Sequence, residues 1–224
     1  MRGKFIIIDG TDGSGKATQS SLLVKRLRKE GKKVSIQDFP RYGHRSAALV
    51  EDYLNGKFGS SRQIGPYIPS IFFAVDRFAA SKQIEKDLAA GKIVISNRYV
   101  TANLGHQGAK IPGAKARINF FQWANDLEYG LFKIPKPDLT IILHVSAKKA
   151  QELVGLKGER NYLRRFKKRD LHERDLGHLR AAEKTYLEMC RLFKFRLISC
   201  EKKDRLMEKD LIAGLIWKEV SRIL

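Results

Sequence analysis

The chain has 224 residues, 43% of them hydrophobic and 30% charged, which suits one compact domain with a sizeable core. A formal net charge of +20 excludes an acidic tail and favours polyanionic partners: nucleotides, nucleic acid or an anionic membrane surface. Two cysteines are too few for a disulfide framework, and no Cys-x-x-Cys spacing indicates zinc. The apolar run near the amino terminus is too short for a signal peptide, and no run reaches the roughly 20 residues of a membrane span. We therefore expect a soluble, cytoplasmic protein.

Short β-branched runs alternate with longer helical patterns along the chain. The runs predict five strands, at residues 5–8, 34–37, 93–95, 139–145 and 195–199. Because strands that alternate with helices form parallel sheets covered on both faces, we predict an α/β fold with about five parallel strands. One domain, residues 1–224, accounts for the length.

The helical patterns fill the intervals between these runs. We predict a first helix that ends at Gly31, a second at about 46–54, and a long one at about 70–90 capped by Gly91. A later helix should use Leu176, Leu179, Tyr186 and Cys190 as one face. A terminal helix should bury Leu211, Leu215, Ile216, Val220 and Ile223.

A glycine-rich segment with the form G-x-x-x-x-G-K lies between the first predicted strand and helix. Glycines let backbone N–H groups turn toward phosphate oxygens, and the helix amino terminus and Lys16 add positive charge. A glycine-rich turn that only joins strand to helix is the weaker interpretation. We predict that nucleotide phosphates are bound by Gly10, Thr11, Asp12, Gly13, Ser14, Gly15, Lys16, Ala17 and Thr18.

One position departs from this phosphate-binding pattern. Ala17 stands where the motif has a Ser or Thr that binds Mg²⁺. Thr18 cannot occupy the same place, since successive helical residues are rotated by about 100°, although it could bond an α-phosphate oxygen. We expect Mg²⁺ to be held by phosphates, water and a carboxylate, Asp12 or Asp9. A loop with weakened metal control is the alternative.

Phe73 and Arg77 lie four residues apart on the predicted long helix, hence on one face. A ring and a guanidinium one turn apart suit a nucleobase, since the ring stacks and the guanidinium donates to a base carbonyl. A core Phe beside a surface Arg is the competing interpretation. Asp76 and Arg77 interrupt an otherwise apolar stretch, which favours the functional one because buried charges need partners.

These motifs together resemble the thymidylate kinases, the P-loop nucleoside monophosphate kinases that make dTDP from dTMP and ATP. The matching segments occur in family order within about 4–190: residues 10–19, 39–43, 73–77, 97–103, a basic lid, and 170–175. The resemblance implies a P-loop kinase fold, ATP and Mg²⁺ as cofactors, and a homodimer. It places the short basic lid at about 155–170.

The resemblance also implies roles for individual residues in binding dTMP. Phe73 would stack on thymine, and Arg77 would donate to its O4 carbonyl. Arg41 and Arg98 would hold the dTMP phosphate. Asp12 would lie near the sugar 3′-hydroxyl and the metal.

Two further positions depart from the family pattern, and one of them, Asn97, joins Ala17 on the metal side of the chemistry. Asn103 and Gln107 belong to the stretch that lines the base and sugar, but His106 replaces a tyrosine that disfavours ribose in many members. This makes the deoxyribose preference less secure. Asn97 replaces the Asp of the family's Asp-Arg-Tyr and removes a carboxylate from the metal region. A neutral strand-end residue is the simpler interpretation of Asn97.

The basic lid carries a concentrated charge. Residues 157–170 contain seven Lys and Arg against one Glu and one Asp, a net +5. A solvated helix face is the ordinary interpretation of such a run. In a kinase, arginines here would close over ATP and match the charge of the transferring phosphoryl group. Family members with Gly at the Gly13 position tend to place catalytic arginines in the lid, so we select Arg160 and Arg164.

The sequence thus predicts a kinase that transfers the ATP γ-phosphate to dTMP on the way to dTTP. Its predicted catalytic residues are Lys16, Asp12, Arg98, Arg160 and Arg164. A related kinase with a broader acceptor range, a basic P-loop ATPase that binds nucleic acid, and a nucleotide binder with little catalysis stay open. Nucleic acid is not favoured, because no helicase-like second motif or RNA-binding aromatic signature accompanies the loop.

Overall fold

The computed structural model describes residues 2–156, 176–202 and 205–224. Residues 157–170 of the predicted lid, with Arg160 and Arg164, and the segment 170–175 lie outside the described residues. The five main strands are β1 (Phe5–Gly10), β2 (Val34–Asp38), β3 (Ile93–Asn97), β4 (Leu139–His144) and β5 (Arg196–Ser199). A small antiparallel hairpin follows, β6 (Glu201–Lys202) and β7 (Arg205–Leu206).

Helices occupy the connections between these strands. In chain order they are α1 (Lys16–Lys29), α2 (Ala48–Leu54), α3 (Ser61–Ile64), α4 (Tyr67–Ala89), α5 (Val100–Gly108), α6 (Ala114–Asn125), α7 (Ala147–Leu156), α8 (Leu176–Phe193) and α9 (Lys209–Val220). A 3₁₀ turn, Arg45–Ala47, precedes α2, and a π-helical turn, Asp126–Leu131, continues α6. None of the described helices is both long and apolar enough to cross a membrane.

The main sheet has the strand order β2-β3-β1-β4-β5, and every pairing in it is parallel. The predicted α/β fold with a five-stranded parallel sheet is therefore confirmed. The register aligns Asn97 with both Asp38 and Ile8, and Gly10 with Leu143. These pairings bring the carboxyl ends of four strands to one edge, where the connecting loops gather polar side chains.

The central strand β1 is buried on both faces, as a parallel sheet in the middle of a domain requires. Phe5 and Ile7 point into a core shared with α4, α5, α6 and α8. Ile6 and Ile8 point into the opposite core, shared with α1, α7 and α9. The glycine-rich loop follows β1 directly, so it starts from a strand that is packed on both faces.

The long helix α4 begins earlier than predicted, at Tyr67 instead of about residue 70. Pro66 and Pro69 belong to its beginning, where backbone N–H groups have no partner within the helix. Proline therefore does not interrupt it there, and the two prolines are a poor guide to where this helix starts.

The predicted apolar face of the terminal helix is wrong in part. Ile216 and Val220 are buried in α9 with Ile212, whereas Leu211 and Leu215 are 59% and 42% exposed. The buried residues follow an exact four-residue spacing, so a face counted from Leu211 lies one residue out of phase.

We predict that a methyl group added at Gly105 destabilises the protein. A Cβ there would lie 2.5 Å from the ring of Tyr186, which is buried and donates a hydrogen bond from its hydroxyl to Asp9. Gly105→Ala should lower the free energy of unfolding by about 1–3 kcal/mol in denaturant titrations.

Gly214→Ala is the matched control, because nothing lies within 4 Å of a Cβ at this exposed position of α9. The higher helix propensity of Ala should stabilise this variant by up to about 1 kcal/mol. Equal effects of the two substitutions would contradict the close packing of α5 on α8.

Candidate active site

A cavity of about 360 Å³ opens at the carboxyl edge of the sheet. Several predicted site residues line it: Asp12, Gly13, Gly15, Lys16, Ala17, Phe73, Arg77, Arg98, Asn103, His106 and Gln107. Gly10, Thr11, Ser14, Thr18 and Arg41 are not part of this lining. A larger cavity of about 760 Å³ lies near the starts of β4 and β5, and its described lining contains no predicted site residue. The smaller cavity is therefore the candidate site.

The glycine-rich loop has the backbone geometry of a phosphate cradle. Gly10 and Gly13 have φ angles of 143° and 82°, which disfavour other residues. A Cβ on Gly13 would also lie 2.7 Å from the carbonyl oxygen of Ala150 in α7. The Lys16 ammonium donates to the carbonyl oxygens of Gly10 and Thr11, at 3.0 and 2.8 Å. The loop is thus closely packed, and its lysine is held at the loop itself.

Two buried hydroxyl groups in this loop fit an anion. Thr11 Oγ1 and Ser14 Oγ have no hydrogen-bond partner among the described residues. Buried donors without acceptors are costly, and phosphate oxygens are strong acceptors. The residues present therefore fit a nucleotide phosphate. Thr18, by contrast, is exposed on α1.

Arg98 stands next to the loop in a conformation that non-glycine residues seldom adopt, with a φ of 66°. One terminal nitrogen donates to the Asp12 carboxylate, and the other lies 3.1 Å from His106 Nε2. Burial works to lower the pKa of Arg98, but Asp12 together with Tyr186 and Asp9 outweighs this effect and raises the pKa above its usual range. The cation expected to hold an acceptor phosphate is thus present in the cavity and paired with a carboxylate.

Arg41, the second expected phosphate ligand, is engaged beside the cavity. Its backbone N–H and its Nε donate to the two carboxylate oxygens of Asp76, at 2.8 and 3.1 Å. One terminal nitrogen donates to Ser46 Oγ, 2.7 Å away. Asp76 is 1% exposed, so Arg41 supplies the partner that its buried charge requires.

Two residues of α4, Phe73 and Arg77, are the ones predicted to bind a nucleobase, and we call the part of the cavity that they line the base end. The Phe73 ring packs edge-on against Tyr53, with centroids 6.3 Å apart. Arg77 forms a bidentate ion pair with Glu128, at 2.6 Å for both bonds. Burial works to lower the pKa of Arg77, and the Glu128 carboxylate outweighs it, so the pKa is raised and the charge is kept. No motif in the sequence pointed to Glu128.

Two amide side chains of α5 complete this end. Asn103 and Gln107 are buried, and Asn103 Oδ1 and Gln107 Oε1 have no hydrogen-bond partner within the described ranges. Both residues line the cavity. Oxygen acceptors without donors suit the ring N–H of a pyrimidine base such as thymine.

The carboxylates fall into two groups. Asp9 is fully buried and accepts hydrogen bonds from the Gly10 N–H, Thr101 and Tyr186, so its oxygens are already engaged. Asp38 lines the cavity with Asp12, and Asn97 Nδ2 donates to it at 2.8 Å. Asp38 therefore places a carboxylate beside the position where Asn97 lacks one. The position of Asp38 at the carboxyl end of β2 is the feature of the sequence that could have identified it as a site residue.

No group of three or more His, Cys, Asp and Glu side chains in the described part of the chain is arranged to hold a metal ion. Divalent cations bound with nucleotides take most of their ligands from phosphates and water, so one or two carboxylates suffice. Asp12 and Asp38 meet this requirement at the cavity.

Lys110 follows α5 and contacts Tyr53, whose ring packs against Phe73. Its ammonium donates to the Tyr53 hydroxyl at 2.7 Å, and burial lowers its pKa to about 8. Below that value Lys110 is protonated in both the folded and the unfolded protein, so burial of its charge lowers the free energy of unfolding by the full amount. Between the folded and the ordinary lysine pKa, the unfolded chain binds the additional proton, and the folded state gains relative stability.

We therefore expect the stability of the wild type relative to Lys110→Met to increase with pH. Denaturant titrations of both proteins at about pH 7 and about pH 10 measure it. A difference in unfolding free energy that is independent of pH would contradict a lowered lysine pKa.

Comparison with known proteins identifies the family of this chain. A sequence model of the thymidylate kinase family matches residues 8–203. A thymidylate kinase of Mycobacterium tuberculosis is 31% identical over 186 residues, which cover 83% of this chain and 85% of that protein. A probable thymidylate kinase of Pyrobaculum aerophilum is 35% identical over 186 residues, covering 81% of this chain and 85% of that protein.

A solved structure supports the fold independently. Thymidylate kinase from Candida albicans superposes with a TM-score of 0.73, covering 99% of this chain and 92% of that one. At 22% identity this likeness concerns the fold alone. Since the family match spans far more than half of the sequence, the chain belongs to the thymidylate kinase family.

Proposed function

We propose that this protein transfers the γ-phosphate of ATP to dTMP and releases ADP and dTDP. The observation that carries the proposal is one cavity with two kinds of lining. Lys16 and the glycine-rich loop contribute one part of the lining, and Phe73, Asn103 and Gln107 contribute another. A phosphate cradle and a set of base-binding side chains in one cavity, with Arg98 in contact with both Asp12 of the loop and His106 of α5, suit two nucleotides meeting at their phosphates.

The reaction needs positioning and charge neutralisation more than a covalent nucleophile. A phosphate oxygen of dTMP forms a bond to the γ-phosphorus, and the bond from that phosphorus to the bridging oxygen breaks as ADP leaves. Lys16 and the loop amides hold the ATP phosphates. Arg98 exchanges the Asp12 carboxylate for the dTMP phosphate, since both are anionic partners of a guanidinium.

Other assignments complete the mechanism. Arg41 would bind the dTMP phosphate beside Arg98, releasing part of its hold on Asp76, and His106 would lie near the sugar. The lid arginines Arg160 and Arg164 would neutralise the transferring group. Each of these roles is a proposal that follows the family resemblance.

We propose that Mg²⁺ is held by the nucleotide phosphates with Asp12 and Asp38. The cation would neutralise charge on the phosphates during transfer. Ala17 contributes no hydroxyl to it, so these carboxylates carry more of the task in this chain than in a loop with Ser or Thr.

Steady-state kinetics with an acceptor panel test the function. With ATP and Mg²⁺, dTMP should give a higher kcat/KM than dUMP, dCMP, AMP or GMP. Phe73→Ala should lower kcat/KM for dTMP by about tenfold to a hundredfold, because stacking on a base contributes about 1–3 kcal/mol. Faster turnover of another acceptor by the wild type would overturn the assignment of dTMP.

We also propose that two copies of the chain associate through α4. Four apolar residues of this helix are 36% to 49% exposed: Ile68, Ile71, Val75 and Phe78. Their spacing places them in one stripe, roughly 160° around the helix from Phe73 and Arg77. A second copy that buries this stripe would brace the helix whose other face lines the cavity.

Ile71→Glu should therefore convert a dimer into a monomer of 25.6 kDa in size-exclusion chromatography with light scattering. Leu211→Glu, at a position 59% exposed on α9, is the control and should leave the dimer intact. A wild-type protein that runs as a monomer would exclude the proposed association.

A further inference from the structure

The Arg77–Glu128 ion pair is buried at the base end of the cavity. Arg77 is 1% exposed and Glu128 is not exposed at all. Glu128 accepts from Arg77 Nε and Nη2, each at 2.6 Å, and the carbonyl oxygen of Tyr99 lies 3.3 Å from Nη1. These contacts hold the guanidinium plane from two sides.

A guanidinium carries five N–H groups, and these bonds use three of them. The remaining two are on the terminal nitrogens of a side chain that lines the cavity one helical turn from Phe73. A base stacked on Phe73 is thus offered fixed hydrogen-bond donors. Since Arg is permanently charged and has no acceptor atom, it suits a carbonyl group of the base and not an amino group.

Glu128 is positioned by the π-helical turn that continues α6. It lies in the π-helical turn Asp126–Leu131, and its backbone carbonyl accepts from the Ile134 N–H at 3.1 Å. Such turns are rare in helices and recur at functional sites. Here the turn places a carboxylate 51 residues away in sequence against Arg77.

We propose that Glu128 is a positioning residue that sets base preference by fixing Arg77. The inference rests on the proposed function and deepens it. Glu128 orients the two remaining Arg77 donors toward the C4 position of the pyrimidine, where thymine and uracil have a carbonyl and cytosine has an amino group. Cytosine would be rejected because the N–H groups of its 4-amino group would face the N–H groups of Arg77, with no acceptor between them.

A purely structural ion pair is the competing explanation, and the chain offers a matched control for it. Arg117 is also buried, and its Nε donates to Glu188 at 2.6 Å. This pair joins α6 to α8 and does not line the candidate cavity. Glu188→Gln therefore reports what loss of a partly buried Arg–Glu pair does to the fold alone.

Kinetics of Glu128→Gln with varied dTMP, dCMP and ATP test the proposal. We expect KM for dTMP to rise by about tenfold to a hundredfold, since hydrogen bonds to charged groups contribute about 1.5–3 kcal/mol. The ratio of kcat/KM for dTMP over dCMP should fall, while KM for ATP stays within about twofold of the wild-type value. Glu188→Gln should change the melting temperature but neither KM.

Coupling with Arg77 separates positioning from stability. If Glu128 acts through Arg77, the double variant Arg77→Gln/Glu128→Gln should have the same KM for dTMP as Arg77→Gln alone. Additive effects on KM, or parallel losses with dTMP and ATP, would overturn the proposal. Should Glu128→Gln not fold, Glu128→Asp keeps the charge and shifts it by one methylene. An unchanged base preference in a folded Glu128→Asp protein would then overturn the proposal.

The outcomes also distinguish this inference from the proposed function. A wild-type protein that prefers another acceptor overturns the function. A wild type that prefers dTMP, together with a Glu128→Gln variant of unchanged dTMP to dCMP ratio, overturns only the role of Glu128.

Discussion

Charge buried at the carboxyl edge of the sheet is the constraint on which this structure depends. Six charged side chains there are at most 7% exposed: Asp9, Asp12, Lys16, Asp76, Arg77 and Glu128. A buried charge without a partner costs several kcal/mol, so each of these groups has to meet an opposite charge or hydrogen bonds. The need for partners brings together elements that are distant in sequence. The partners come from the loop after β1, the loop after β2, α4, α5 and the turn after α6.

The same pairing prepares the site for anionic substrates. Lys16 rests on loop carbonyl oxygens, Arg98 on Asp12, and Arg41 on Asp76. Arg98 and Arg41 are already desolvated in part by their carboxylates, so a bound phosphate group would replace one anionic partner with another and would not have to strip water from an exposed guanidinium. Arg77 differs in the proposed mechanism, because its carboxylate partner would stay with it and leave two donors for a neutral base. Pairs that can exchange would then meet the phosphates, and a pair that stays intact would meet the base.

Local patterns predicted much of this molecule. The five strands, the parallel sheet and the phosphate loop are encoded in short runs whose residues act on their neighbours. The shared helix face of Phe73 and Arg77 was predictable, because four residues make about one helical turn. Glu128 was not, since its partner is 51 residues away and the π turn that presents it leaves no periodic signal. The buried face of α9 was predicted wrongly in part. Leu211 and Leu215 form one apolar row on this helix and Ile212 and Ile216 form the next, and periodicity alone does not say which row packs against the core. Most of the +20 charge lies on residues outside the cavity.

A crystal structure of the protein with dTMP is the measurement that tests the central claim most directly. It should show the thymine ring stacked on Phe73, its C4 carbonyl within hydrogen-bond distance of Arg77, and the Arg77–Glu128 pair intact. Arg98 should have moved from Asp12 to the phosphate. A base bound elsewhere, or an Arg77 that leaves Glu128 when dTMP binds, would contradict the account.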